Sequence, residues 1–226
     1  MTTARSRLRA ELTAEIKRIA REQLAVDGAS GLSLRAVARE LGMVSSAVYR
    51  YFGSRDELLT ALIIDAYDAM GEAAEAADRP GSGYIARWLD VCHAVRGWAL
   101  AHPHEYALLY GSPVPGYHAP DDTVRAAVRT GRVLGRILSD ASATGQLQPA
   151  GVAPAPLLAD AEAMSALVMP GVPAESVLRG VAAWTQLFGA ISFEVFGHYA
   201  NVLTDTAAGF EYMMTNMGRA AGLPES

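Results

Sequence analysis

The sequence predicts an all-α fold, with a small three-helix head at the amino end and a larger helical body behind it. Three observations carry that prediction. Apolar residues recur at three- and four-residue spacing through most of the chain, the period of an amphipathic helix. Period-two alternation is nearly absent, and neither a glycine-rich dinucleotide fingerprint nor a P-loop occurs. Residues 33–52, SLRAVARELGMVSSAVYRYF, hold two short helical patterns joined by a tight turn at Gly42.

The first predicted helix carries Leu8, Leu12, Ile16, Ile19 and Leu24 and stops at Asp27-Gly28. Ser33 stands before the next apolar stripe, Leu34, Val37, Ala38 and Leu41, where its hydroxyl can cap free backbone N–H groups. Leu41-Gly42 ends that helix, because glycine adopts a left-handed turn without steric cost. Residues 45–52 form the next segment, too short to be stable alone, with small polar residues beside Tyr49, Arg50 and Tyr51. Low bulk with outward hydroxyl, guanidinium and phenol groups suits a helix lying in the roughly 12 Å wide major groove of DNA. The turn alone leaves open an ordinary αα-hairpin packed in a core.

Ser54-Arg55-Asp56-Glu57 reads as a capping box. It launches a long helix through Leu58, Leu62, Ile63, Ala66 and Met70 to Arg79-Pro80-Gly81, which links head and body. Further helices are expected over 84–101, from Pro103 onward, and over 121–143, 157–168, 175–198 and 204–219. Proline-rich loops are expected at 111–120 and 146–156. The helix over 175–198 mixes bulky Trp184, Leu187, Phe188 and Phe193 with small Gly180, Ala183, Gly189, Ala190 and Gly197. Small residues let helices approach closely while bulky ones supply buried area; an intramolecular core helix is the plainer reading. Arg179, Gln186 and Glu194 interrupt that stretch, which argues for a buried interface helix and against a membrane span.

Domains are expected at 1–56 and 57–226. The chain has 226 residues, 51% of them hydrophobic, ample for a folded core. Residues 1–56 hold ten Lys+Arg against six Asp+Glu, and the remainder nine against eighteen. A basic head on an acidic body is the asymmetry expected when one end meets phosphate. A single cysteine excludes an internal disulfide, and the first residues lack an apolar leader, so a reducing cytoplasm is expected. His102-x-His104 with Glu105, near Cys92 and His93, invites a metal reading. Pro103 stands between the two histidines, which would point about 200° apart on a helix, so no metal and no cofactor are expected. No G-x-S-x-G elbow occurs and Cys92 has no evident activating partner, so enzymatic activity is not expected.

The run Ala38-x3-Gly42-x6-Tyr49-x2-Phe52-x-Ser54-Arg55-x-Glu57-Leu58 resembles the amino-terminal signature of the tetracycline-repressor (TetR) family of bacterial transcription regulators. Tyr106 to Pro113 and Trp184-x4-Gly189 resemble one subgroup of that family's carboxy-terminal sensor domains. There are departures. Val44 stands where the family usually carries a capping Ser or Thr, so Ser45 is expected to cap, one residue later. Ser46 replaces Gly or Pro, Tyr51 a frequent His, and Arg55 the usual Lys.

The resemblance implies a homodimer joined through 157–168 and 175–198 as a four-helix bundle. Its two recognition helices would then stand about 34–36 Å apart on a near-palindromic DNA operator. Ser45, Ser46 and Arg50 are the candidates for base edges, and Ser33, Arg35, Tyr49, Tyr51 and Arg55 for phosphates. Arg5, Arg7 and Arg9 reach the minor groove or backbone, or form a solvated arm. Trp88, Cys92, Tyr106, Tyr110, Tyr117, Trp184 and Phe188 are candidates to line the site of a hydrophobic or aromatic effector. Two other functions fit the residues: a regulator acting through a protein partner without a ligand, and a small-molecule-binding or enzymatic helical protein with an incidental basic head.

Overall fold

The computed structural model describes residues 4–149 and 151–225. The loop expected at 146–156 includes residue 150, and the amino end read for a leader includes residues 1–3; these lie outside the described residues. The helices are α1 (Ala4–Gly31), α2 (Leu34–Glu40), α3 (Ser45–Val48), α4 (Arg55–Ala77), α5 (Tyr84–Ala101), α6 (Pro103–Tyr110), α7 (Val124–Ala127), α8 (Arg129–Ala143), α9 (Leu158–Val168), α10 (Ala174–Val195) and α11 (Thr206–Ala221). Among the described residues no strand forms, and an isolated bridge between Pro80 and Ser82 is the extent of β pairing. Among the described residues no helix is long and apolar enough to cross a membrane.

Three elements depart from the sequence-based expectation. The helix expected over 121–143 is interrupted: a 3-10 turn at Asp121–Thr123 leads into α7, and Val128 separates α7 from α8. The helix expected to reach 198 stops at Val195. Gly197 takes a left-handed backbone (φ 77), and the N–H groups of Gly197 and His198 turn back onto Glu194 O (3.1 Å) and Phe193 O (2.7 Å). At Gly28 the backbone of α1 leaves the helix (φ 68, ψ 178), and one more turn carries it to Gly31.

The chain condenses into two compact units, 1–66 with 102–124, and 67–101 with 125–226. The first of these units ends within α4, at residue 66. The first unit extends beyond the head because α6 packs against α1. Arg21 of α1 reaches Glu105 of α6 (3.0 Å) and Asp65 of α4 (2.7 Å), and Lys17 also meets Asp65 (2.8 Å). Ile16, Ile19, Leu34, Val37, Leu58 and Leu62 fill its core, each essentially free of solvent.

In the second unit α10 lies against α9 and α11, and α5 against α8 and α11. Trp88 is buried there and its indole N–H donates to Met214 O (2.9 Å). A buried ion pair closes the turn after α4: Arg87 Nε donates to Asp78 Oδ1 (2.7 Å), and a second guanidinium nitrogen reaches Asp140 (2.9 Å). These bonds hold Arg87 charged, raising its pKa against the opposing effect of burial. Replacing one member strands the other in a dry site. Asp78→Ala is expected to lower unfolding free energy by about 3–5 kcal/mol in chemical denaturation, whereas Asp140→Ala, at a solvated carboxylate, is expected to cost at most about 1 kcal/mol.

Candidate nucleic-acid interface and internal cavity

The head is built from short helices whose ends are fixed by specific bonds. Ser33 caps α2 as expected, its hydroxyl accepting from Ala36 N (3.4 Å), while its own N–H donates to the Gln23 side chain (3.2 Å). Gly42 takes a left-handed backbone (φ 65) after α2. Gly42 N–H then bonds Arg39 O (3.1 Å) and Met43 N–H bonds Ala38 O (2.9 Å), so two carbonyls of the last turn are satisfied within a two-residue turn.

The recognition segment is shorter than the sequence suggests. Only Ser45–Val48 is α-helical, and beyond Tyr49 the chain tightens, Arg50 N–H reaching Ala47 O and Tyr51 N–H reaching Val48 O. Ser45 does not cap it. Val44 occupies the cap position in extended conformation with no side-chain bond, and Ser45 is already the first helical residue. The segment is held instead by Val48 and Phe52, which bury their side chains. Its solvent face then presents Ser46, Tyr49 and Arg50, with Tyr49 43% exposed and Val44 71% exposed.

The eight candidate DNA contacts separate on this geometry. Arg35, Ser46, Tyr49 and Arg50 are exposed; Ser33, Ser45, Tyr51 and Arg55 are half-buried. Tyr51 lies beneath the Arg9 guanidinium, 5.2 Å from ring centroid to Cζ. Arg55 faces inward along the chain: Nε donates to Leu32 O (3.2 Å) and another guanidinium nitrogen to Ala29 O (2.7 Å). It ties the start of α4 to the turn between α1 and α2. The expected capping box forms, with Glu57 N–H donating to the Ser54 hydroxyl (3.0 Å). The Glu57 carboxylate reaches one residue further back than usual, accepting from Gly53 N–H (2.6 Å).

Not every cation of the head is available to phosphate. Lys17, Arg18, Arg21 and Arg55 are engaged in ion pairs or backbone bonds within it. Arg5, Arg7, Arg9, Arg35, Arg39 and Arg50 enter no ion pair among the described residues, which exclude residues 1–3. Arg39 was not among the candidates read from the sequence, and Val44 was read there only for its lost cap; both flank the Gly42 turn and are exposed.

The residues read as lining an effector site fall in both compact units: Tyr106, Tyr110 and Tyr117 in the first, and Trp88, Cys92, Trp184 and Phe188 in the second. Tyr106 is buried and stacks on Tyr110 (5.1 Å between centroids), and the Tyr117 hydroxyl pairs with Thr60 (2.9 Å). Cys92 is buried, and that burial pushes its thiol pKa up, away from the reactive thiolate. Phe188 packs against the Trp184 ring at 5.5 Å. Trp88 and Trp184 do face a cavity of about 140 Å³, whose other walls come from α7, α8, α9 and the start of α10. Among the described residues no group of three or more metal-ligating side chains assembles.

Beside that cavity sits a strong electrostatic contact. Arg129 lies between the wall residues Val128 and Gly131. Its guanidinium grips α4 through Glu75 (2.7 Å), Asp68 (3.1 Å) and Glu72 (3.5 Å). The bond to Arg129 holds the Glu75 carboxyl below the ordinary carboxylate range. The Arg129 stem lies so close to Gly71 that a β-carbon there would come within 2.5 Å of it.

Comparison with known proteins gives consistent matches. Residues 17–62 match the family model of bacterial regulatory proteins of the tetR family, and residues 88–217 match a tetracyclin repressor-like C-terminal domain. An HTH-type transcriptional regulator of Mycobacterium tuberculosis is 46% identical over 215 residues, spanning 90% of this chain and 89% of that protein. The crystal structure of a presumed regulatory protein, SCO4313, superposes with a TM-score of 0.79 at 37% identity, covering 95% of this chain and 98% of the other. A regulatory protein of the tetR family from Rhodococcus RHA1 shares the fold, with a TM-score of 0.64 at 16% identity over 94% of this chain and 98% of its own.

The Arg55 geometry has a direct test. Arg55→Ala is expected to lower thermal stability by about 1–3 kcal/mol, because two carbonyls lose a charged donor. Arg55→Lys should not restore it, since an ammonium lacks the planar fork that spans both. Unchanged stability with weakened DNA binding would return Arg55 to the phosphates.

Proposed function

The chain belongs to the tetR family of bacterial regulatory proteins, and on that basis we propose that it is a homodimeric repressor, released from a near-palindromic operator by a small molecule. Its matched relatives are HTH-type transcriptional regulators. One observation carries the reading: Ser46, Tyr49 and Arg50 project from a buried Val48–Phe52 base, on a head whose other cations are partly neutralised internally. Arg50 reads a guanine edge, and Ser46 and half-buried Ser45 supply hydroxyls to neighbouring bases. Exposed Val44 meets a thymine methyl, an apolar contact that the usual hydroxyl at this position would not favour as strongly. Arg35, Arg39, Tyr49 and the amino-terminal arginines set register on the phosphates.

The dimer reading rests on α10. Ala182, Gln186, Gly189 and Phe193 fall on one stripe of that helix, with Phe196 at its C-cap, and all are exposed, Phe193 by 53%. Ala159, Ala163 and Ala166 give α9 an exposed face of small residues, with Leu167 beside it. Two such helices from each protomer make a four-helix contact around a two-fold axis. Release follows from the Arg129 grip. A ligand pressing on Val128 and Gly131 displaces Arg129, which lies between them, and with it α4, whose first residue is Arg55 of the head. Such a ligand must bind the released geometry more tightly than the DNA-bound one.

Footprinting on DNA flanking the gene tests the whole reading; two protected half-sites one helical turn apart are expected, and a single protected half-site would contradict the dimer. Arg50→Ala is expected to cost about 1–3 kcal/mol on that site and little on random DNA. Phe193→Arg should convert dimer to monomer in sedimentation equilibrium and abolish operator binding. A Phe193→Arg protein that stays dimeric would move the interface elsewhere.

A further inference from the structure

Resting on the effector reading above, we infer that the molecule this protein responds to is small, uncharged and apolar, about the size of one ring. The inference comes from the walls of the cavity. They contain no charged group, hydroxyl or amide; the two indoles are their only hydrogen-bonding side chains. Trp88 is already committed, donating to Met214 O at 2.9 Å. The Trp184 N–H is thus the one side-chain donor left on the lining, on a ring that is 41% exposed. A carboxylate or ammonium entering such a space loses its hydration and meets no compensating partner.

Size is set by the volume of the cavity, about 140 Å³. Apolar cavities of about 150 Å³ remain dry and take up benzene. Met164 and Met169 supply flexible, polarisable walls that adjust to a ring and make favourable sulfur–aromatic contacts. Leu134, Leu138 and Val181 supply the remaining apolar surface. One wall residue, Gly131, gives direct experimental access. A β-carbon built on it meets no atom within 4 Å, so larger side chains there have space to occupy. It lies within α8, where alanine is the better helix former, so Gly131→Ala should fold at least as well as the parent.

The test uses the full chain, with toluene and cyclohexane as probes and benzoate as the charged control. Binding is followed by calorimetry and by tryptophan fluorescence, and release from the footprinted DNA by anisotropy. Toluene is expected to bind saturably, benzoate at least tenfold more weakly, and Gly131→Leu should weaken toluene at least tenfold. Gly131→Ala should weaken it by a smaller factor, which keeps the test decisive if the leucine variant does not fold. Toluene binding with release of DNA supports both the ligand class and the effector reading. Toluene binding that the Gly131 variants weaken, without release, supports the ligand class and overturns the effector reading alone. No binding of toluene or cyclohexane near their aqueous saturation, equal binding of benzoate, or binding indifferent to both Gly131 variants overturns the inference.

Discussion

A recognition segment with four residues in α-helical conformation has no stability of its own, and the head is arranged around that constraint. Nothing local compensates for it at the amino end, because Val44 supplies no capping bond. The segment is fixed from outside instead. Val48 and Phe52 anchor it in the core, the Gly42 turn sets its entry, and Arg55 holds the start of α4 against the α1–α2 turn. With the backbone held in this way, Ser46, Tyr49 and Arg50 are free to face outward without contributing to the fold.

Charge is distributed by the same division of labour. Lys17 and Arg21 join α1 to α4 and α6, and Arg18 pairs along its own helix with Glu15 and Glu22. The Arg18 pairs are exposed and add little stability. The consequence for function is larger: the basic excess counted along residues 1–56 overstates what DNA meets. In the second unit, Arg129 plays a comparable part, gripping α4 from between two residues that wall the cavity. One helix therefore receives both the amino-terminal clamp of Arg55 and the grip of Arg129.

Much of this was legible in the sequence. Helix periodicity, Ser33, Gly42 and the Ser54–Glu57 box located the head to within a few residues, because caps and left-handed turns are chosen by local chemistry. The division of the body was not. Where α6 packs on α1, Arg21 meets Glu105, 84 positions away, a pairing that no local pattern encodes. The cavity was legible only in part. Trp88 and Trp184 were read among its candidates and line it, whereas its other walls are aliphatic residues, glycines and methionines that look like any core. Arg55 was a cation of the right type in the right motif, and only its two carbonyl partners reveal that it faces inward.

The most direct measurement is fluorescence anisotropy of the purified full chain on labelled DNA flanking its gene, repeated across salt concentrations with unlabelled competitor. Phosphate contacts release counterions, so log K should fall against log salt with a slope of about −0.9 for each phosphate neutralised. Saturable, competitor-resistant binding with a steep slope is the result expected of paired heads that each present Arg35, Arg39 and Arg50. Absence of binding to this or random DNA at low salt would contradict the assignment of the exposed Ser46–Tyr49–Arg50 face to DNA.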